Sequence, residues 1–220
     1  MTEFKAYVFD LDGTLVKIKE GYPYFITKKA LNACGITKLS RENAESFWFC
    51  PVNRDIFVKE VFKICPVVFW NEFNKADKAH FQECIRTNTP YAYAYPDINV
   101  LKTLKENGIR LGLVTVTANY TLKYKLNIIE KSWGIKFDSV VGTDRRNVKE
   151  KPEPDSLQIC LKELGVTNNE ACYVDDLVVG IQMAQRADVF DVLIDRGNAK
   201  LPEHTKPKRT IKSLTELINN

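Results

Sequence analysis

The sequence predicts an α/β protein: a parallel sheet covered by helices, interrupted after its first strand by an all-helical insert. Three observations predict it. A strand-type run, Lys5-Ala-Tyr-Val-Phe-Asp10, ends in an acidic turn, Asp10-Leu-Asp-Gly-Thr14. From about Lys17 to Pro90 the texture becomes helical, with apolar residues at three- and four-residue spacing. After Tyr91 short strand runs alternate with helical ones, the pattern of a parallel sheet with helices on both faces. The core is therefore assigned to 1–16 and 91–220, and the helical insert to 17–90.

The first strand is a short, continuous apolar run, as expected of a strand buried on both faces. The insert is punctuated at Gly35, Pro51 and Pro66, which divide it into separate helices. Asp97 is expected to cap a helix carrying Ile98, Leu101 and Leu104, which Gly108 terminates. A strand over Arg110–Thr115 follows, then a helix over Asn119–Trp133 and a strand over Phe137–Val141. Pro152 or Pro154 starts the next helix, Gly165 ends it, and Ala171–Asp175 is again a strand closing in acid. Val189–Ile194 is the last clear strand, and Ser213 caps a short C-terminal helix.

Composition narrows the class. A chain of 220 residues with 45% hydrophobic residues can bury a sizeable core without disulfides, and no apolar run approaches the ~20 residues that span a bilayer. Met1 to Ala6 carries charge and runs into only a few apolar residues, unlike a signal peptide, so a cytoplasmic location is expected. The six cysteines form no CxxC pair and neither His80 nor His204 stands at ligand spacing from them, which argues against zinc and for free thiols. The net charge of +4 is too mild to imply a nucleic-acid or membrane partner. It is nevertheless localised: residues 16–90 hold 12 Lys and Arg against 8 Asp and Glu, and the remainder 20 against 20. The stretch 22–81 also holds 12 of the 24 aromatic residues, enough for the insert's own core and for a remaining patch that could pair two copies or stack an aromatic leaving group. A monomer or a homodimer is expected.

Three strands end in polar residues: Asp10 and Asp12 after the first, Thr115 after the second, Asp175 and Asp176 after the fourth. Lys151 precedes the Pro152 helix. In a parallel sheet these converge on the edge where such folds bind ligands. Carboxylates gathered there repel by roughly 4 kcal/mol per pair at about 4 Å and an effective dielectric near 20. A hard, oxygen-binding cation, Mg²⁺, suits a site of acids and carbonyls.

Val8-Phe-Asp-Leu-Asp-Gly-Thr-Leu15 resembles the first motif of the haloacid dehalogenase (HAD) superfamily, a group dominated by phosphatases. Thr115 resembles the second motif, Lys151-Pro152 the third, and Tyr173-Val-Asp-Asp176 the double-aspartate form of the fourth. The resemblance runs over about residues 5–190 and implies a Rossmann-like parallel-sheet core with an inserted helical cap, as in the phosphoglycolate phosphatase and β-phosphoglucomutase-like branch. It implies Asp10 as nucleophile, Asp12 as general acid and base, and Mg²⁺ held by Asp10, the backbone carbonyl of Asp12, and Asp176 assisted by Asp175. Whether Asp175 or Asp176 is the direct ligand stays open. Thr115 and Lys151 would contact the transferring phosphate, with Thr117 a competitor for the Thr115 role. Val116 stands where the family often has Asn or Gly against the substrate, Lys17 where it often has Asp, and Gly180 where many members carry a further acid. Phe49-Cys-Pro-Val-Asn-Arg-Asp55 is similar to a cap loop that reaches substrate, which makes Arg54 and Asn53 candidate substrate contacts, against the reading that Arg54 pairs with a neighbouring acid. The expected activity is phosphatase action on a small phosphorylated metabolite. A phosphomutase and a non-catalytic, receiver-like phosphate sensor are the alternatives.

Overall fold

Ala6–Phe9 forms β1, whose residues Ala6, Val8 and Phe9 are fully buried in a computed structural model that describes residues 4–50, 54–142, 148–197, 202 and 205–218. The apolar run thus has helices or strands on every side, as the sequence requires of a central strand. It pairs in parallel with β4 (Arg110–Val114) on one side and β6 (Ala171–Asp175) on the other. Outside these lie β5 (Ser139–Val141) beyond β4, and β7 (Phe190–Ile194) then β8 (Arg209–Ile211) beyond β6. All five pairings in this six-stranded sheet are parallel. Because β1 sits between two halves wound in opposite directions, the strand order reverses beside it, and the crevice at its carboxyl end is where such a sheet places a ligand.

Register does the rest. Phe9 lies level with Leu113 and Val174, so the residue after it, Asp10, stands beside Val114 and Asp175. The next turn closes tightly: Val16 N–H donates to Leu11 O and Gly13 N–H to Val16 O, each at 2.9 Å, with Gly13 at φ 89°. That positive φ is one that glycine adopts without steric cost.

The covering helices are α5 (Val100–Glu106), α6 (Asn119–Trp133), α7 (Asp155–Leu164) and α8 (Val178–Arg186). Gly134 and Gly165 end α6 and α7 in the left-handed conformation, the C-terminal stop that glycine favours. Leu157, Cys160, Leu161 and Leu164 of α7 join Val8, Tyr173 and Met183 in one buried cluster. Each such aliphatic side chain contributes about 1.5–3 kcal/mol by leaving water.

Asp97 departs from its expected role. It lies inside a 3₁₀ turn, Pro96–Asn99, that precedes α5, and gives that helix no side-chain cap. Its carboxylate instead accepts from Leu214 N–H at 2.9 Å, Ser213 Oγ at 3.1 Å and Arg196 Nη1 at 2.7 Å. It thereby anchors the C-terminal turn Leu214–Leu217, where Ser213 and Glu216 form a capping box as Ser213 predicts. Three short strands were not expected: β8 at the sheet edge, and β2 (Val16–Ile18) and β3 (Ala92–Ala94), which form a two-stranded ribbon.

The chain divides into two compact units, Met1–Lys17 with Tyr93–Asn220, and Ile18–Ala92. The second contains α1 (Tyr22–Ala33), α2 (Arg41–Trp48), α3 (Arg54–Phe57) running into a π-helical turn at Val58–Phe62, and α4 (Pro66–Arg86). Its core is aromatic: the Phe47 ring meets Trp48, Phe57, Phe62, Phe69, Trp70 and Phe73 at centroid separations of 5.4–6.5 Å. It also buries an acid. Asp77 accepts from the hydroxyls of Tyr22 and Tyr91, which satisfies a carboxylate that burial would otherwise penalise. No helix among the described residues is long and apolar enough to cross a membrane.

Candidate active site

Asp10 closes β1 with its side chain 9% exposed, and its Oδ1 accepts from Lys151 Nζ at 2.5 Å. The same ammonium donates to Asp175 Oδ2 at 2.8 Å. Lys151 is itself only 5% exposed. Burial alone would lower its pKa, but the two carboxylates outweigh burial and hold it above the ordinary lysine value. Thus the lysine stays charged where an isolated buried ammonium would not.

Asp175 and Asp176 divide their work. Asp175 Oδ1 accepts from Leu177 N–H at 2.8 Å, and Oδ2 receives Tyr173 Oη at 2.7 Å besides Lys151. Its oxygens point into the protein. A Cβ at Gly180 would lie 1.9 Å from Asp175 Oδ2, so the first acid of the pair fills the space that a side chain at 180 would need. Asp176 accepts from Thr14 Oγ1 at 3.1 Å, and a Cβ at Gly13 would lie 2.2 Å from its Oδ2. The turn glycine is therefore required twice, for its φ and for the carboxylate that packs on it.

Asp10, Asp175 and Asp176 each place a carboxylate oxygen within 4.8 Å of the others. Burial raises the pKa of Asp10, Asp175 and Asp12 add to the effect, and Lys151 opposes it. Asp176 is pushed well up, by burial first and then by Asp175 and Asp10. One ammonium does not balance three carboxylates. The all-oxygen donor set and its unbalanced charge fit a hard divalent cation, and Asp176, less engaged by protein donors than Asp175, is the better placed to ligate it.

On the other side of the turn, Asp12 Oδ2 accepts from Thr117 Oγ1 at 2.6 Å. Thr117 in turn meets Thr115, Oγ1 to Oγ1 at 2.7 Å, and its N–H donates to Thr115 Oγ1 at 3.1 Å. Both threonines weighed for the second motif are therefore at the site, one linked to the other. Lys125, on α6, places its Nζ 2.7 Å from each Asp12 oxygen. Sequence reasoning missed this residue. The available signal was its spacing: Thr121, Lys125 and Ile129 form the buried stripe of α6, and a lysine on such a stripe needs a partner. Tyr173, named in the sequence only as part of the fourth motif, has no role assigned there, although its alternation with Asp175 along β6 puts the two on one face.

Val116 is exposed and lines a cleft with Thr115, Lys149, Glu150 and Lys151. Arg54 belongs to the helical unit. There its guanidinium lies over the Phe47 and Trp48 rings, 5.7 and 5.3 Å from their centroids, and donates to Trp48 O at 3.0 Å. Asn53 lies outside the described residues.

Sheet order and site together define an α/β enzyme with an acidic, lysine-braced centre at the carboxyl edge of its central strands. Residues 4–188 match the family of haloacid dehalogenase-like hydrolases, and the chain belongs to that family. It is 26% identical over 194 residues to the pyrophosphatase PpaX of Oceanobacillus iheyensis, covering 84% of this chain and 80% of that one. Solved structures share the fold. A candidate phosphoglycolate phosphatase from Lactobacillus plantarum superposes with a TM-score of 0.77 at 21% identity, covering 98% of both chains. CbbY from Rhodobacter sphaeroides, solved with xylulose-(1,5)bisphosphate, gives 0.72 at 19% identity, covering 97% of this chain and 96% of that one.

Proposed function

We propose that the protein is a Mg²⁺-dependent phosphatase that hydrolyses a small phosphorylated metabolite through an aspartyl-phosphate on Asp10. The observation that carries this reading is the placement of two carboxylates with different surroundings on one turn: Asp10, buried against Lys151, and Asp12, with its side chain 29% exposed and held by Thr117 and Lys125. One is suited to attack and the other to move a proton.

In the first step an Asp10 carboxylate oxygen bonds to phosphorus while the bond to the leaving oxygen breaks, and Asp12 gives that oxygen a proton. In the second, Asp12 takes a proton from water as the water oxygen attacks phosphorus, which frees Asp10 and inorganic phosphate. Lys151 offsets negative charge on Asp10 and on the phosphate, and Thr115 offers its hydroxyl to a phosphate oxygen. Asp10, Asp176 and the Asp12 carbonyl would hold Mg²⁺, which when bound supplies charge neutralisation for the approach of an anionic ester to an acidic site. In this reading the helical unit acts as a cap that selects the leaving group, with Arg54 and Asn53 as its candidate contacts. Its +4 charge over residues 16–90 suits an anionic substrate. The chain acts in the cytoplasm as a monomer or homodimer.

The test is phosphate release with Mg²⁺ over sugar phosphates, phosphoglycolate, nucleotides and pyrophosphate. The parent is expected to turn over at least one of these, and Asp10→Asn to lose roughly a thousandfold or more of that rate. A silent panel, or an Asp10→Asn protein with parental activity, overturns the reading.

A further inference from the structure

Lys125 combines deep burial with a close pairing to Asp12. Its residue is 2% exposed, on the helix stripe that otherwise carries Thr121 and Ile129. An ammonium at that depth is strongly unfavourable unless paired and hydrogen-bonded. The pairing is with a residue of the catalytic turn: Nζ lies 2.7 Å from both Asp12 oxygens, while Thr117 Oγ1 donates to Oδ2 at 2.6 Å. Asp12 is the outer member, with its side chain 29% exposed against 3% for Lys125. The lysine is therefore placed to act on Asp12 from behind.

We infer that Lys125 is a positioning residue for Asp12. The ammonium and the Thr117 hydroxyl both donate to Oδ2, and the ammonium also lies 2.7 Å from Oδ1, which together hold the plane and rotamer of a short carboxylate that would otherwise turn about its two side-chain torsions. Thr117 is joined to Thr115 and begins the loop into α6, so one helix and its entry loop hold the proton-transfer group at a set distance from the phosphate-binding threonine. Proton transfer requires heavy atoms within about 2.6–3.2 Å, and a carboxylate free to swing spends part of its time beyond that reach. The effect falls on the step that needs a proton delivered to the leaving oxygen. The inference rests on the proposed role of Asp12 as general acid and base.

Three variants test it: Lys125→Met, Lys125→Arg and Thr117→Val. The first readout is crystallographic. Lys125→Met is expected to release the Asp12 carboxylate from its position and Lys125→Arg to retain it; an unmoved Asp12 in Lys125→Met overturns the inference. The second is a leaving-group series with Mg²⁺, comparing p-nitrophenyl phosphate with phenyl phosphate. Lys125→Met is expected to lose about tenfold more kcat on phenyl phosphate, whose poorer leaving group needs the proton, than on the nitrophenyl ester, with KM little changed and partial recovery in Lys125→Arg. Equal losses on the two esters would mark Lys125 as a structural residue only. If Lys125→Met does not fold, Thr117→Val carries the same comparison. If neither ester is hydrolysed by the parent, the phosphatase reading is what suffers, and the crystallographic result still decides the role of Lys125.

Discussion

At the scale of single residues the site is an arrangement of compensations. Lys151 is buried between Asp10 and Asp175, so removing it leaves two carboxylates facing each other with no ammonium between them. Lys151→Met is expected to lower kcat by about a hundredfold or more, since in the proposed mechanism the charge that offsets Asp10 and the phosphate is then gone, and steady-state phosphate release would measure it. Parental kcat in a folded Lys151→Met protein would contradict the assignment. Asp176 differs from Asp175 in having few protein donors, and the consequence is measurable by calorimetry. Asp176→Asn should weaken Mg²⁺ binding at least tenfold, whereas Tyr173→Phe, which strips one donor from Asp175, should leave Mg²⁺ affinity within a few fold. The main acids and Lys151 are legible in the sequence because each closes a strand or opens a helix, and a parallel sheet brings such ends together. Lys125 and Tyr173 are not, because what distinguishes them from a surface lysine and a core tyrosine is the carboxylate each meets across the fold.

At the scale of elements, Asp97 shows how a local signal misleads. An acid just before a helical run reads as that helix's cap, yet its lone pairs are taken by Arg196, Ser213 and the Leu214 N–H, from residues more than a hundred positions away or nearly so. Arg196 also donates to Thr14 O at 2.8 Å, so this network braces the Asp10–Thr14 turn against the C-terminal segment. Burial pushes the Asp97 pKa up, but Arg196, the Leu214 N–H and Ser213 outweigh it and hold it below the ordinary value. A carboxyl depressed on folding contributes stability above its unfolded pKa, near 3.9, and loses it as pH falls through the folded value. Urea denaturation should therefore find Asp97→Asn less stable than the parent at neutral pH, with the gap narrowing below about pH 3.9. A gap unchanged into acid would exclude the ionic contribution. The short strands β2, β3 and β8 escape the sequence for a simpler reason: three residues are too few to display a period.

Across the whole molecule, strands β4, β5, β6 and β7 and helices α5, α6 and α7 were readable because a parallel sheet demands buried, apolar strands and amphipathic crossovers, and these leave periodic signals. Helical texture begins in the sequence near Lys17, and the second compact unit spans Ile18–Ala92. The side-chain chemistry of that unit is not legible in the sequence. A helix wheel reports which face is buried, not that Arg54 lies over Phe47 and Trp48 or that Asp77 is shared by two tyrosines. Phe47, at the centre of the aromatic cluster, gives that unit's stability a handle: Phe47→Ala should cost about 3–5 kcal/mol, read from denaturant melts followed by tryptophan fluorescence.

The central claim is that Asp10 carries the phosphoryl group, and trapping it is the most direct measurement. Asp12→Ala protein mixed with Mg²⁺ and a turned-over phosphate ester, quenched in acid and digested, is predicted to carry a phosphate adduct on the peptide containing Asp10, accumulating beyond the level in the parent because the base that would activate water is gone. An adduct on another residue, or none at any quench time while phosphate is still released, would contradict the account.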